Sequence, residues 1–103
     1  MQRSMAILGT RWKPVIIYTL RDRKARFGQL DALIENISRK VLTSSLKELE
    51  EDGVILREEY KELPPRVEYS LTEKGKALIP IMCQLAQWNE TFYKEDQVPE
   101  LIA

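Results

Sequence analysis

Residues 37–53 read ISRKVLTSSLKELEEDG. Arg39, Lys40, Thr43, Ser44 and Lys47 crowd one end of this stretch, and Glu48, Glu50, Glu51 and Asp52 the other. Guanidinium and ammonium groups pair with phosphates and with the acceptor edge of guanine, and hydroxyls donate to or accept from any base. The basic end is therefore equipped to hold a polyanion and to read hydrogen-bonding edges. From this stretch alone, a solvated helix face is an equal alternative. Other chemistry is poorly provided for. The chain has no histidine and one cysteine, Cys83. That removes the commonest general base, the Ser–His and Cys–His nucleophile pairs, the commonest metal ligand and any intrachain disulfide. Without a glycine-rich phosphate loop or a cysteine cluster, no catalytic constellation can be named. Neither an enzyme nor a cofactor or metal is expected.

Charge is distributed unevenly. Residues 1–47 carry ten Lys/Arg and three Asp/Glu, a net of +7, whereas residues 48–103 carry six Lys/Arg and thirteen Asp/Glu, a net of −7. Such asymmetry marks a nucleic-acid-binding half, or else chance segregation of solvated charge. With 103 residues, 44% hydrophobic and 31% charged, the composition is that of one globular domain spanning 1–103. No apolar run has the length of a membrane span, and Met1 is not followed by a signal-peptide pattern. A cytoplasmic protein without membrane contact is expected.

The elements that position these residues follow from periodicity. Leu42, Leu46 and Leu49 form a buried stripe on a helix over 38–52, with Ser38 as N-cap, Ile37 and Leu42 as a hydrophobic staple, and Gly53 just past the end. With that stripe inward, Lys40, Ser44 and Lys47 point outward, flanked by Thr43 and Arg39. Just before it, Phe27, Leu30, Leu33 and Ile34 share one face of a shorter helix that stops near Asn36. Two helices joined by a tight turn over about 27–52 have the layout of a helix-turn-helix. Farther upstream, residues 2–8 predict a helix ending near Gly9. TRWKPVIIYTL predicts a second one, with Thr10 as N-cap and Pro14 in the first turn.

The basic connection Arg21, Arg23, Lys24 and Arg26 contacts flanking phosphate or is merely solvated; Gln29 is a further phosphate-contacting candidate. After Gly53 the period becomes two, with Val54, Leu56, Val67, Tyr69 and Leu71 as its apolar positions, so a hairpin over 54–71 is expected across KELPP. Lys61 lies in its tip. Arg66 lies where the chain turns back, either toward phosphate or in a cross-strand pair with Glu58 or Glu59. The last helix spans about 72–95, with Thr72 as cap and Pro80 kinking or splitting it. It carries two apolar stripes about 120° apart, Ile81/Leu85/Trp88/Phe92 and Ile79/Met82/Ala86/Tyr93. One stripe can serve the chain's own core; the other calls for a second copy. The candidate contact residues are Ile81, Met82, Leu85, Trp88, Phe92 and Tyr93. Cys83, apolar-flanked, reads as a small buried hydrophobe rather than a sensor.

These blocks together resemble HxlR-type winged-helix transcriptional regulators, relatives of the MarR group. The matching pieces are LGTRWKPVIIYTL at 8–20, RFGQL at 26–30, ISRKVLTSSLKELEEDGVI at 37–55, PPRVEYSLTEKGKAL at 64–78 and the late Trp88. Gly9-Thr10-Arg11-Trp12 departs mildly from the family's Gly-Gly-Lys-Trp. The resemblance implies an α+β, mainly α fold: a winged helix-turn-helix with a two-stranded β-hairpin wing and terminal dimerisation helices. It also implies sequence-specific binding of double-stranded operator DNA as a homodimer, with helix 38–52 in the major groove. Many members sense electrophiles or oxidants through a cysteine upstream of the segment matching Trp12. No cysteine precedes Trp12 here and the chain starts past that position, so this sensing is not expected to carry over. A small-molecule effector has room but no signature. The competing expectation is a winged-helix module that binds protein, which the +7 half disfavours.

Overall fold

The computed structural model describes residues 1–93. In chain order the elements are α1 (Gln2–Leu8), α2 (Lys13–Thr19), α3 (Phe27–Leu33), α4 (Arg39–Glu51), β1 (Ile55–Tyr60), β2 (Arg66–Leu71), α5 (Glu73–Lys76) and α6 (Leu78–Phe92). This is a mainly helical winged helix-turn-helix, with the hairpin following directly on the longer helix of the motif. The part of the expected last helix at 94–95 lies outside the described residues.

The core gathers one face from each element. Ile16, Ile17 and Leu20 of the α2 segment meet Leu30 and Ile34, the α4 stripe Leu42, Leu46 and Leu49, and Val54, Ile55, Leu71 and Met82. Each such aliphatic side chain contributes roughly 1.5–3 kcal/mol on full burial. The leucine stripe alone therefore anchors α4 and turns its other side outward. Ser38 caps α4 by accepting from the Val41 N–H at 3.1 Å. Gly53 takes φ 74°, where a Cβ would be strained, and lets the chain leave α4 directly into β1. Asn36 adopts φ 67° in the turn between α3 and α4. Asparagine tolerates this left-handed conformation better than most residues.

The hairpin is antiparallel, with Ile55 opposite Leu71 and Tyr60 opposite Arg66. Its inward strand position is Ile55, buried beside Val54; the expected Leu56 is half-exposed. Burying Val54, the residue between Gly53 and β1, shifts the alternation by one position. The basic connection before α3 is more than a connector. Ala25 pairs with Tyr69 through both backbone bonds, at 3.0 and 2.8 Å, and so covers the outer edge of β2. Thr72 locks the foot of the hairpin, its hydroxyl lying 2.6 Å from the Gly53 carbonyl and 3.0 Å from that of Val54. The same oxygen accepts from the Gly75 N–H at 3.1 Å. A Cβ at Gly75 would collide with the Val54 carbonyl oxygen, so only glycine allows this approach.

Two local expectations are corrected and a third is resolved. Thr10 does not cap α2; its hydroxyl donates to the Ile7 carbonyl at 3.0 Å, satisfying an open carbonyl at the end of α1. The expected last helix is indeed split in two, the second of the outcomes expected of Pro80, whose ring stands against the carbonyl four residues back, at Lys76, the last residue of α5. The break falls at Ala77, which ends α5 and begins α6, and Pro80 sits in the first turn of α6, where its missing N–H has no partner to lose. Leu33 is 50% exposed, because the face of α3 that packs is set by Leu30 and Ile34.

Candidate nucleic-acid interface

Lys40, Thr43, Ser44 and Lys47 are all exposed on the side of α4 opposite its leucines. The Thr43 hydroxyl donates to the Arg39 carbonyl at 2.7 Å and the Ser44 hydroxyl to the Val41 carbonyl at 3.1 Å. Both oxygens keep lone pairs that face solvent. Lys40 and Lys47 form no ion pair among the described residues. Arg39 is held differently: its Nε lies 3.2 Å from Asp31 Oδ2, and its guanidinium is 6.0 Å from the Phe27 ring. With a side chain 76% exposed, it still offers its remaining N–H groups while tying the start of α4 to α3. Gln29 caps α3, accepting from the Arg26 N–H at 2.8 Å, which leaves its amide nitrogen free to donate. Arg26 has no acceptor with which to return that bond.

The acidic end of α4 has a structural partner that periodicity did not reveal. Glu48 Oε1 lies 3.0 Å from Lys13 Nζ, whose side chain is only 10% exposed. A buried ammonium on α2 requires a carboxylate, and Glu48 supplies it. Lys74 donates to the Asp52 carbonyl at 2.7 Å, meeting the negative end of the α4 dipole.

Within the wing most charge is internally matched. Glu58 and Glu68 stand directly opposite each other, an unfavourable like-charge register. Lys24 relieves it from the neighbouring segment, 3.3 Å from Glu58 Oε1, and this hydrogen bond and the attraction of Glu58 raise the Lys24 pKa above its ordinary value. Arg66 pairs with neither Glu58 nor Glu59. Its guanidinium lies 3.5 Å from Glu62 and 3.9 Å from Glu68, over the ring of its cross-strand neighbour Tyr60 at 4.3 Å. Its Nε is sealed from solvent without a hydrogen-bond acceptor. Arg57 pairs with Glu59 at 3.3 Å. Lys61, exposed at the tip, forms no ion pair among the described residues.

The α6 stripes divide cleanly. Ile81, Leu85, Trp88 and Phe92 are 46%, 52%, 53% and 66% exposed, whereas Met82 and Ala86 are buried. Met82 therefore leaves the set of residues available to a second copy, because its helix position points at α2 and the core. Tyr93 is half-exposed and joins the open stripe through Trp88, with ring centroids 5.4 Å apart. Phe92 lies 5.5 Å from Trp88 on the same patch. Cys83 is exposed, not a buried hydrophobe; helical geometry sets it about half a turn from the open stripe, beside Gln87 and Glu90. Among the described residues no helix is long and apolar enough to cross a membrane.

Comparison with known proteins gives this architecture a family context. Residues 7–97 match the model of the HxlR-like helix-turn-helix family. An uncharacterized HTH-type transcriptional regulator of Methanothermobacter thermautotrophicus is 47% identical over 85 residues, covering 82% of this chain and 65% of that protein. The uncharacterized HTH-type transcriptional regulator YdeP of Bacillus subtilis is 42% identical over 102 residues, covering 99% of this chain and 78% of the relative. Among solved structures, the reduced form of the transcriptional regulator YodB from B. subtilis superposes with a TM-score of 0.86 at 36% identity, covering 94% of this chain and 95% of that one.

Proposed function

The chain belongs to the HxlR-like helix-turn-helix family of transcriptional regulators, and from that premise we propose that it binds operator DNA as a homodimer, with α4 in the major groove. The observation that carries this reading is the exposed basic and hydroxyl face of α4. Lys40, Ser44 and Lys47 lie opposite a fully anchored leucine stripe, Lys40 and Ser44 in the N-terminal half of the helix, the part that enters the groove in helix-turn-helix proteins, and Lys47 just past its middle. Lys40 and Lys47 have no ion-pair partner among the described residues and Thr43 and Ser44 retain acceptor lone pairs, so this face has hydrogen-bonding capacity available to bases. Arg39 and Gln29 reach the flanking phosphates, and Lys61 follows the backbone from the wing tip. Arg66 contributes by stiffening the wing and offering the edge of its guanidinium, since its charge is already shared between two glutamates. Two copies join through Ile81, Leu85, Trp88, Phe92 and Tyr93, and the protein works in the cytoplasm.

The test is binding to duplex DNA from the region upstream of the protein's own gene, followed by fluorescence anisotropy across a salt series. The logarithm of affinity should fall with a slope of about 0.9 for each neutralised phosphate. Lys40→Ala and Ser44→Ala should narrow the preference for that duplex over random DNA while leaving the fold intact. A dimeric preparation without affinity at low salt would sink the DNA reading and leave the protein-binding module. An unchanged preference in both variants would remove Lys40 and Ser44 from base readout.

A further inference from the structure

A cleft of about 210 Å³ opens between α2 and the turn that joins α3 to α4. Trp12, Val15, Leu33 and Ile34 line it together with the polar side chains of Arg11, Thr19, Glu35 and Asn36. This explains the exposure of Leu33: the residue lines a concave surface rather than a lone position on a convex one. Arg11 lies over the Trp12 ring at 4.7 Å, and among the described residues neither Arg11 nor Glu35 has an ion-pair partner. One cation and one anion without ion-pair partners among the described residues therefore line the same cleft.

We propose that this cleft binds a small zwitterion with an apolar side chain, a free amino acid of about the size of leucine. The carboxylate pairs with Arg11, the ammonium with Glu35, and the side chain covers Trp12, Val15, Leu33 and Ile34. The dimensions suit it. An apolar cavity of about 150 Å³ accepts a benzene ring, so the cleft takes a branched chain and leaves the charged head at the open rim. Charge complementarity selects among ligand classes. A plain carboxylic acid leaves Glu35 facing an anion, and a plain amine leaves Arg11 facing a cation. A phosphate backbone is repelled by Glu35, which separates this cleft from the outer face of α4.

The position gives the ligand leverage. Glu35 and Asn36 belong to the turn that sets the angle between α3 and α4, and Asn36 is already held at φ 67°. A ligand spanning Arg11 and Glu35 links α2 to that turn and biases how α4 is presented. This regulatory half rests on the DNA-binding reading; ligand binding itself does not.

The experiment titrates the full chain with L-leucine, with isovalerate and isoamylamine as analogues lacking one charge each. The readout is the Trp12 indole N–H resonance, assigned by comparison with Trp88→Phe. The expected result is a saturable shift with L-leucine that is absent with both analogues. Arg11→Ala and Glu35→Gln should each weaken it about tenfold or more, the loss typical of a charge-assisted hydrogen bond. No saturable shift up to the solubility limit of leucine, or equal binding of isovalerate, or undiminished binding by both variants, overturns the proposal. Saturating L-leucine should then move the midpoint of DNA binding about fivefold or more. An unchanged midpoint overturns the regulatory half. A leucine response in a chain without DNA affinity would instead count against the DNA reading alone.

Discussion

Trp88→Ala tests the open face of α6 most severely. A fully buried tryptophan covers about 150–250 Å², and Trp88 is 53% exposed, so roughly 100 Å² of it is open to the contact proposed between two copies. At about 25 cal/mol per Å² this is about 2.5 kcal/mol per subunit. A twofold interface uses the same patch on both copies, which doubles the loss to about 5 kcal/mol. With tenfold in affinity for about each 1.4 kcal/mol, the dimer dissociation constant should rise by roughly three orders of magnitude. The loss has a second route, because the Trp88 ring also steadies Phe92 and Tyr93 at 5.5 and 5.4 Å. Sedimentation velocity over a dilution series measures the constant, and far-UV circular dichroism checks the fold. Cys83→Ser is the control, lying about half a turn round α6 from the patch, and should leave association unchanged. A well-folded Trp88→Ala protein whose dissociation constant moves less than about tenfold would refute the assignment of this face.

Three further outcomes are expected. Glu48→Ala leaves the Lys13 ammonium buried without its partner, which should cost about 1–3 kcal/mol in urea denaturation; a loss below a few tenths would mean that Lys13 finds another acceptor. Thr72→Val removes a hydroxyl shared among two carbonyls and the α5 cap, and should destabilise by about 1–2 kcal/mol; an unshifted urea midpoint would show the hairpin foot to be held otherwise. Lys24 has a raised pKa, so the stabilisation from its pairing with Glu58 is fully present below lysine's ordinary value of 10.5 and is lost as pH climbs through the raised one. Nitrogen NMR of the Lys24 ammonium should therefore titrate above that value in the native chain and move back toward it in Glu58→Gln, where Tyr60 and Glu68 remain, and identical titration in both proteins would dismiss Glu58 as the cause.

Much of the architecture was legible because it depends on local regularities. The α4 helix declares itself through Leu42, Leu46 and Leu49, the Ser38 cap and Gly53, each acting within a turn or two of chain. The hairpin does so through alternation and the prolines between its strands. What stayed hidden depends on residues far apart in the chain. The pairing of Ala25 with Tyr69 turns a basic connector into part of the sheet, and no local pattern marks it. Nothing local to Lys13 marks it as buried; the packing of α2 against α4 places it beside Glu48. One of the acids at the end of α4 is thus tied inward.

The candidate interface divides along the same line. The sequence by itself determined which residue types gather on the outer face of α4, because a 3.6-residue period and one apolar stripe leave little freedom in where the rest point. Only the tertiary structure decided which charges remain available. Arg66 is absorbed by Glu62, Glu68 and Tyr60, Arg39 is braced against Asp31, and Lys40, Lys47 and Lys61 form no ion pairs among the described residues. It also decided which α6 stripe is open, burying Met82 and exposing Trp88. The reason is physical: helical periodicity fixes directions about one axis, whereas burial and ion pairing depend on what a second element brings to that direction.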